Sequence, residues 1–226
     1  MAVTTVVQYG SLSDPMVLAP ERYDPRRIQN ADETAIALSE LVSIENPTLS
    51  VKALDSETKY LVLDTGDSFE GVIRPRTQPL DGSAIRSSKK MVKGGDVIIS
   101  RLRPYLRQVA YVDDALAEAA SNVLVSAEFF VLRARQSDES CAWLVPFLLS
   151  KEIQAVLGRS QEGGHHPRFN KETLSGLLVP LSVVESRAKA SEVTEKHVVA
   201  IRKAFLGLQH LVSEIDCRAE AITSKI

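Results

Sequence analysis

The chain has 226 residues and is 44% hydrophobic, so it can bury a substantial core and is not a disordered chain. Its formal net charge of −2 indicates no particular partner, and its two cysteines, Cys141 and Cys217, are too few and too far apart for a disulfide framework or a four-ligand zinc site. The N-terminal residues lack the pattern of an export signal and no apolar run reaches membrane-spanning length, so we expect a soluble cytoplasmic protein.

The first part of the chain is predicted to be loop, then helix, then strands. Prolines spaced through the first 30 residues prevent a helix there, whereas residues 32–43 carry a partial apolar stripe that Asp32 is placed to cap. Short apolar or β-branched runs, separated by Gly, Pro, Asp and Ser clusters, then predict strands. These runs are Tyr60–Leu63, Asp96–Ile99, Val109–Val112 and Phe129–Leu132.

The spacing of apolar residues becomes helical again over residues 141–157, with Pro146 in the first turns. Residues 159–182 indicate a glycine-rich loop, a short helix near 171–176 and an extended segment that ends at Pro180. After Pro180 there is no proline, so a continuous helix is predicted over 183–226. We therefore expect an α+β fold, with a strand-rich domain over residues 1–182 and one long C-terminal coiled-coil helix.

The predicted C-terminal helix carries an unbroken heptad pattern, in which apolar residues recur at alternating steps of three and four. Such a stripe must pack against another surface, and either a two-helix coiled coil or a small bundle satisfies the pattern. The alternative is that the helix covers the core of its own domain, but its length of roughly 66 Å favours a protruding helix. The residues of the stripe are Val198, Ile201, Phe205, Leu208, Val212, Ile215, Ala219, Ile222 and Ile226.

Positive charge is concentrated in residues 70–110, which hold nine basic and three acidic side chains, whereas residues 1–69 hold five and eleven. Arginine forks and flexible lysines suit phosphates and guanine edges, so the segment favours nucleic acid. The alternative is a solvated surface that neutralises the acidic first third of the chain. The turn RLRPYL, at 101–106 between two predicted strands, offers the rigidity that sequence readout needs.

A second candidate loop is GGHHPR, at residues 163–168. Its adjacent histidines point apart in an extended chain, and no carboxylate or cysteine stands at a helpful spacing. A DNA-facing loop or an exposed turn therefore explains the segment better than a metal site. No Ser/His/Asp or Cys/His signature, phosphate-binding glycine loop or dinucleotide fingerprint occurs in a strand–turn–helix context, so we expect no catalytic residues in the chain.

Taken in order and spacing, these segments resemble one target-recognition domain plus one spacer helix of the specificity (S) subunit of type I restriction-modification enzymes. The resemblance covers nearly the whole chain, although the usual S subunit resembles two such halves in tandem. The motifs that carry it are RYDP at 22–25, ALSELV at 37–42, GDVIISRLRPYLRQVAYV at 95–112, EFFVLR at 128–133, WLVPFLLSKEIQAVL at 143–157 and GGHHPRFNKETLSGLLVPL at 163–181, followed by the heptad helix.

The resemblance implies a non-catalytic subunit that reads one half of a bipartite DNA target. It also implies partners: a methyltransferase (M) subunit that uses S-adenosylmethionine to methylate adenine, a restriction (R) subunit, and a second copy of this chain. The expected dimerisation residues are those of the heptad stripe from Val198 to Ile222. The expected DNA-binding residues are Arg74, Arg76, Lys89, Lys90, Lys93, Arg101, Arg103, Tyr105, Arg107, His165, His166 and Arg168.

Within that set, Arg101, Arg103 and Tyr105 are the main candidates for base readout, and Lys89, Lys90, Lys93 and Arg107 are the candidates for phosphate contacts. A half-length subunit is expected to dimerise, so that two recognition domains read an inverted repeat. The alternative function is a coiled-coil adaptor whose globular domain binds protein rather than DNA. Salt dependence distinguishes the two, because DNA binding weakens steeply with ionic strength and an apolar helical interface does not.

Overall fold

The structure is a computed structural model, and it describes residues 6, 8, 34–45, 48–74, 78–119, 122–136, 139–163 and 165–223. Most of the predicted N-terminal loop, the cap at Asp32 and the predicted DNA-binding residue Arg76 lie outside these ranges.

The described chain alternates short strands with short helices before one long helix. The strands are β1 Ile36–Ala37, β2 Val42–Glu45, β3 Lys59–Leu63, β4 Ser68–Phe69, β5 Val72–Ile73, β6 Leu80–Asp81, β7 Lys89–Val92, β8 Val97–Ser100, β9 Val109–Tyr111, β10 Val123–Ser126, β11 Phe129–Ala134 and β12 Leu178–Val179. The α-helices are α1 Leu38–Leu41, α2 Asp114–Ala119, α3 Leu144–Leu149, α4 Lys151–Arg159, α5 Lys171–Ser175 and α6 Leu181–Thr223.

The central sheet has the strand order β2–β11–β8–β9, and all its pairs are antiparallel. Strands β8 and β9 and the first four residues of β11 are buried on both faces, which explains their nearly continuous apolar sequences, and successive side chains point to opposite faces. In β8, for example, Val97 and Ile99 face a core shared with the helices, while Ile98 faces a core shared with a second sheet. The predicted strands at 60–63, 96–99, 109–112 and 129–132 correspond to β3, β8, β9 and β11.

The second sheet has the order β6–β3–β10–β7, with β3 and β10 parallel and the other pairs antiparallel. A two-residue turn, Ala127 and Glu128, connects β10 of this sheet to β11 of the central sheet. The domain therefore has three layers, in the order helices, central sheet and second sheet.

The predicted helix over residues 32–43 is wrong. Among the described residues 34–43, only Leu38–Leu41 form a helical turn, and Ile36–Ala37 and Val42–Glu45 are strands on either side of it. These residues form strands despite the helical spacing of their apolar side chains, because β1 pairs with β12 and β2 pairs with β11, which are far along the chain. The predicted helix over 141–157 is interrupted at Ser150, whose backbone is extended (φ −60°, ψ 151°) and whose hydroxyl accepts a hydrogen bond from the Ile153 amide to cap α4.

The long helix α6 begins at Leu181, two residues before the predicted start. Its first half packs on the domain through Val184, Ser191 and Val198, which recur every seven residues and are all buried. From Leu206 to Arg218 every side chain is exposed. The predicted fold class is confirmed: a strand-rich α+β domain is followed by a long C-terminal helix. In the described ranges, no helix is long and apolar enough to cross a membrane.

Candidate nucleic-acid interface

The RLRPYL turn closes the β8–β9 hairpin at one end of the central sheet. The Ser100 amide donates to the Gln108 carbonyl (2.9 Å), and inside the turn the Leu106 amide donates to the Arg103 carbonyl (2.9 Å). Pro104 begins a 3-10 turn over Pro104–Leu106 and is buried, whereas Tyr105 and Leu106 are exposed. The turn therefore holds its backbone rigidly and directs the Tyr105 and Leu106 side chains to solvent.

The histidine-containing loop lies directly against this turn. The Arg103 amide donates to the Pro167 carbonyl (2.9 Å), and the Phe169 amide donates to the Arg101 carbonyl (3.2 Å). The Phe169 ring is buried and lies 5.7 Å from the Phe130 ring, centroid to centroid, which anchors the loop in the core. Two segments far apart in sequence thus form one surface, which we call the loop pair: residues 101–107 together with residues 165–168.

Glu128 joins the two halves of the loop pair. Its Oε2 accepts from Arg101 Nε (2.9 Å) and from Arg168 Nε (2.9 Å), and its Oε1 accepts from Arg168 Nη2 (2.7 Å). Hydrogen bonds from Arg168 and then from Arg101, opposed by burial, lower the pKa of Glu128 to about 2. The carboxylate is therefore ionised at any physiological pH and holds two guanidinium groups with fixed orientation.

Arg103 differs from its neighbours in the loop pair. Its Nη2 lies 3.4 Å from Nδ1 of His166, and among the described residues no carboxylate pairs with it. Its backbone is left-handed (φ 49°), which is strained for a residue with a side chain. An arginine held in a strained backbone, with no acidic partner among the described residues, is well placed to meet an external acceptor.

Arg107 ends the turn, and it too has a left-handed backbone (φ 53°). Its Nε donates to Oε1 of Glu70 at 2.6 Å and its Nη2 donates to Oε2 at 3.2 Å. Glu70 also has a positive φ of 47°, so the non-glycine residues with positive φ in the described ranges are Glu70, Arg103 and Arg107. All three lie in the loop pair or bind to it, and such strain is typical of functional surfaces.

Four further predicted DNA-binding residues lie within the described ranges, and none of the four is brought to this surface. Lys90 is buried, its Nζ donates to the Phe129 carbonyl (2.6 Å), and burial lowers its pKa to about 8. Lys89 is buried as well and donates to the Ser87 hydroxyl. Lys93 is exposed but precedes β8, at the opposite end of the sheet from the turn that follows β8. The Arg74 guanidinium lies 4.3 Å from the centre of the Phe69 ring and 4.6 Å from that of Phe205, between the domain and α6.

Sequence reasoning missed the two acidic residues that organise the surface, Glu128 and Glu70. Glu128 carried a usable signal, because it is the charged residue in a tight turn between two apolar runs, VLVS and FFVL. The sequence contains no signal that the two loops lie together, because their backbones pair at an isolated bridge between Leu102 and Arg168, which are far apart along the chain. In the described ranges, no group of three or more His, Cys, Asp or Glu residues is arranged to hold a metal ion.

Comparison with known proteins gives similarity to solved structures alone. No family model matches the chain, and no curated protein matches it. The chain is similar to the HsdS subunit from Thermoanaerobacter tengcongensis, with 19% identity, a TM-score of 0.49, and coverage of 82% of this chain and 48% of that one. It is also similar to a chain from a structure on complex assembly and conformational transition of the type I R-M system, with 15% identity, a TM-score of 0.45, and coverage of 82% and 44%. The chain spans about half the length of the matched chain in each of these two structures.

Proposed function

We propose that this chain is the sequence-specific DNA-recognition subunit of a type I restriction-modification complex. The observation that carries the proposal is the loop pair: two segments that sequence reasoning had singled out separately are hydrogen-bonded to each other and present Arg101, Arg103 and Arg168 on one rigid surface. Sequence readout needs side chains held firmly at base edges, and a turn braced by a sheet and a second loop provides that. The order of motifs along the chain supports the same function.

In this proposal the loop pair enters the major groove. Arg103 reads a base, because its guanidinium has no acidic partner in the described part of the chain and can donate two hydrogen bonds to the O6 and N7 of guanine. Arg101 and Arg168 are pre-oriented by Glu128, so little conformational entropy is lost when they meet the DNA. The exposed ring of Tyr105 supports the readout at the tip of the turn, and His165 and His166 flank it.

The exposed part of α6 supplies dimerisation. Ile201, Leu208, Val212 and Ile215 of the heptad stripe are all exposed, and Ile215 is 65% exposed. Val198 and Phe205 of the same stripe pack on their own domain, so the proposed interface does not include them. The side chains of Ala219 and Ile222 lie outside the described part of the structure. A second copy covering this stripe gives a two-fold dimer, whose two recognition domains read an inverted repeat.

The chain itself would carry out no chemistry. In the proposed cytoplasmic complex, the M subunit binds S-adenosylmethionine and methylates adenine, and the R subunit cleaves DNA. The recognition subunit directs both to the bipartite target by binding it. A methyl-transfer assay on the isolated chain should accordingly show no activity.

The direct test replaces the two readers of the turn. The double variant Arg101→Ala/Arg103→Ala is expected to reduce binding of the assembled complex to its cognate duplex by about 1–3 kcal/mol for each base that is no longer bound. The affinity for unrelated duplexes should fall less, because there the variant loses two positive charges near the phosphates but no base contacts. Both affinities are measured at one fixed salt concentration.

The matched control is Lys59→Ala/Lys93→Ala. It removes the same charge from two exposed positions away from the loop pair, at the start of β3 and before β8, and should leave cognate affinity unchanged. Unaltered cognate binding by the Arg101/Arg103 variant would refute the assignment. The protein-binding adaptor is tested alongside, since cognate DNA affinity should fall steeply with salt concentration and an adaptor interface should not.

A further inference from the structure

Helix α6 changes its environment completely between Val198 and Phe205. Val198 is 3% exposed and belongs to the main core, whereas every side chain from Leu206 to Arg218 is exposed. The contacts made within this short stretch therefore decide the direction in which the free part of the helix leaves the domain.

The first of these contacts is an ion pair that is almost fully buried. Arg202 Nη2 lies 2.8 Å from Asp113 Oδ1, and the two side chains are 14% and 4% exposed. The same Oδ1 accepts from the Leu116 amide (3.1 Å), so Asp113 connects the helix to α2 and to the end of the central sheet. Within the described structure, Asp113 Oδ2 and Arg202 Nε are buried without a hydrogen-bond partner. Because each side chain of the pair keeps one buried polar atom without a hydrogen bond, the ion pair adds little to the free energy of unfolding. Its main effect is to fix the position of the helix relative to Asp113.

The second contact is the stacking of Arg74 against Phe205. The guanidinium carbon lies 4.3 Å from the centre of the Phe69 ring on β4 and 4.6 Å from the centre of the Phe205 ring on α6. Cations bind the faces of aromatic rings, so Arg74 links the two rings across the boundary between domain and helix. Arg202 and Phe205 are three residues apart on one side of the helix, and two such contacts together oppose both swinging and rotation.

We propose that Asp113, Arg202, Arg74 and Phe205 form an exit clamp, which fixes the angle at which α6 leaves the domain. Its consequence for specificity rests on the function proposed above: in a dimer joined through the free part of α6, the clamp sets the gap between half-sites that the two recognition domains accept. The clamp residues are then specificity-determining residues that touch no DNA.

The geometry makes the effect measurable. From Phe205 to Cys217 the helix rises about 18 Å, so a swing of about 20° at the clamp moves Cys217 by about 6 Å. One added base pair changes the separation of two half-sites by about 3.4 Å and their relative rotation by about 35°. A loosened clamp should therefore accept gaps one base pair longer or shorter than the natural one.

The clamp is tested by the distance between spin labels on Cys217 and on Ser83→Cys, an exposed position in the second-sheet region. Cys141 should not react, because it is buried and its pKa is raised to about 12. Labelled chain is diluted into unlabelled chain, so that distances within one copy dominate the pulsed electron paramagnetic resonance signal. The chain with all four contact residues intact is expected to give one narrow distance distribution.

The main variant is Asp113→Asn/Arg202→Met, which removes both charges together while the asparagine Oδ1 still accepts from the Leu116 amide. Phe205→Leu is the second variant, for use if the first fails to fold. It removes the aromatic ring but keeps an apolar side chain at this position. The distance distribution should broaden by about 6 Å in either variant. The control is Glu192→Gln/Lys196→Met, which removes an exposed ion pair on the same helix and should change nothing.

In parallel, the wild-type and variant complexes are bound to duplexes whose half-site gap is varied by single base pairs. The clamp variants should bind gaps one base pair from the optimum within about threefold of the optimum itself, where the wild type discriminates at least tenfold. An unchanged distance distribution in both variants would overturn the clamp. Broadening with an unchanged gap preference would overturn its role in specificity, whereas a wild type that binds no bipartite duplex would refute the proposed function and leave the clamp supported by the distances.

Discussion

Glu128 is the residue on which the geometry of the loop pair depends, although it cannot itself donate a hydrogen bond to a base or carry positive charge to a phosphate. It accepts hydrogen bonds from Arg101 and Arg168, and so converts two flexible side chains into a fixed pair of forks. Its negative charge also opposes the approach of DNA. Glu128 therefore has two opposite effects on DNA binding: it orients the two arginines, and its charge repels the phosphates. Replacing it separates these two effects.

Glu128→Gln should raise binding to unrelated duplexes, because one negative charge is lost from the surface that we propose binds DNA. The same change should lower the ratio of cognate to unrelated affinity by about tenfold, since the two arginines lose their common carboxylate. Glu118→Gln on α2 removes an equal charge from an exposed position and is the matched control. If both affinities rise in parallel, Glu128 acts through charge alone and the positioning role is wrong.

Lys90 gives a prediction for pH. Burial lowers its pKa to about 8, whereas a lysine in an unfolded chain keeps its proton to about pH 10.4. Between these values the unfolded state binds more protons than the folded state, so this residue makes the free energy of unfolding rise with pH, by at most about 1.4 kcal/mol per unit. The groups that influence this titration are Arg101, Glu128 and Lys171.

The measurement is denaturant unfolding of wild type and Lys90→Met at several values between about pH 7.5 and 9.5, a range that brackets the lowered pKa. Higher pH is avoided because burial raises the pKa of Tyr111. Tyr111 would then lose its proton in the unfolded chain at a lower pH than in the folded chain, which lowers the free energy of unfolding. The wild-type curve should rise relative to that of the variant across this range. Parallel curves would show that Lys90 titrates normally.

At the scale of elements, the outer half of α6 is expected to dimerise. Ile215→Asp places a carboxylate in the proposed apolar seam of both copies, and an unpaired buried charge costs more than about 1.4 kcal/mol, so dimerisation should weaken at least tenfold. Ser213→Asp introduces the same charge on another side of the helix and serves as the control. Sedimentation should report monomers for the first variant at concentrations where wild type and control are dimers, and an unchanged dimer would refute the interface.

Elements were predictable where the pattern was long or the apolar run was continuous. The C-terminal helix and strands β8, β9 and β11 met that condition, since a strand buried on both faces is a continuous apolar run. Residues 32–43 did not, because partners far along the chain take β1 and β2 into strands. Lys89 and Lys90 were assigned to phosphate contacts from their charge, and charge alone does not reveal that β7 buries both of them against the rest of the domain.

At the scale of the whole molecule, most of the candidate residues could be named from the sequence but their arrangement could not. The two loops were separate candidates, and their joining depends on backbone hydrogen bonds between residues 101–103 and 167–169. The long helix likewise divides its heptad stripe, because Val198 and Phe205 face the domain while Leu208 and Ile215 face outward. One helix thus completes the core of its domain and also leaves an exposed apolar stripe, which we propose a second copy covers.

The central claim is that two copies of the loop pair direct a complex to a bipartite, inverted-repeat DNA target. It is tested most directly by mapping methylated adenine across the host genome with the gene intact, with the gene deleted, and with the gene restored as the Arg101→Ala/Arg103→Ala variant. We expect one bipartite palindromic motif to be methylated in the first case, lost on deletion, and not recovered by the variant. Methylation that is unchanged by deletion, or fully recovered by the variant, would contradict this account.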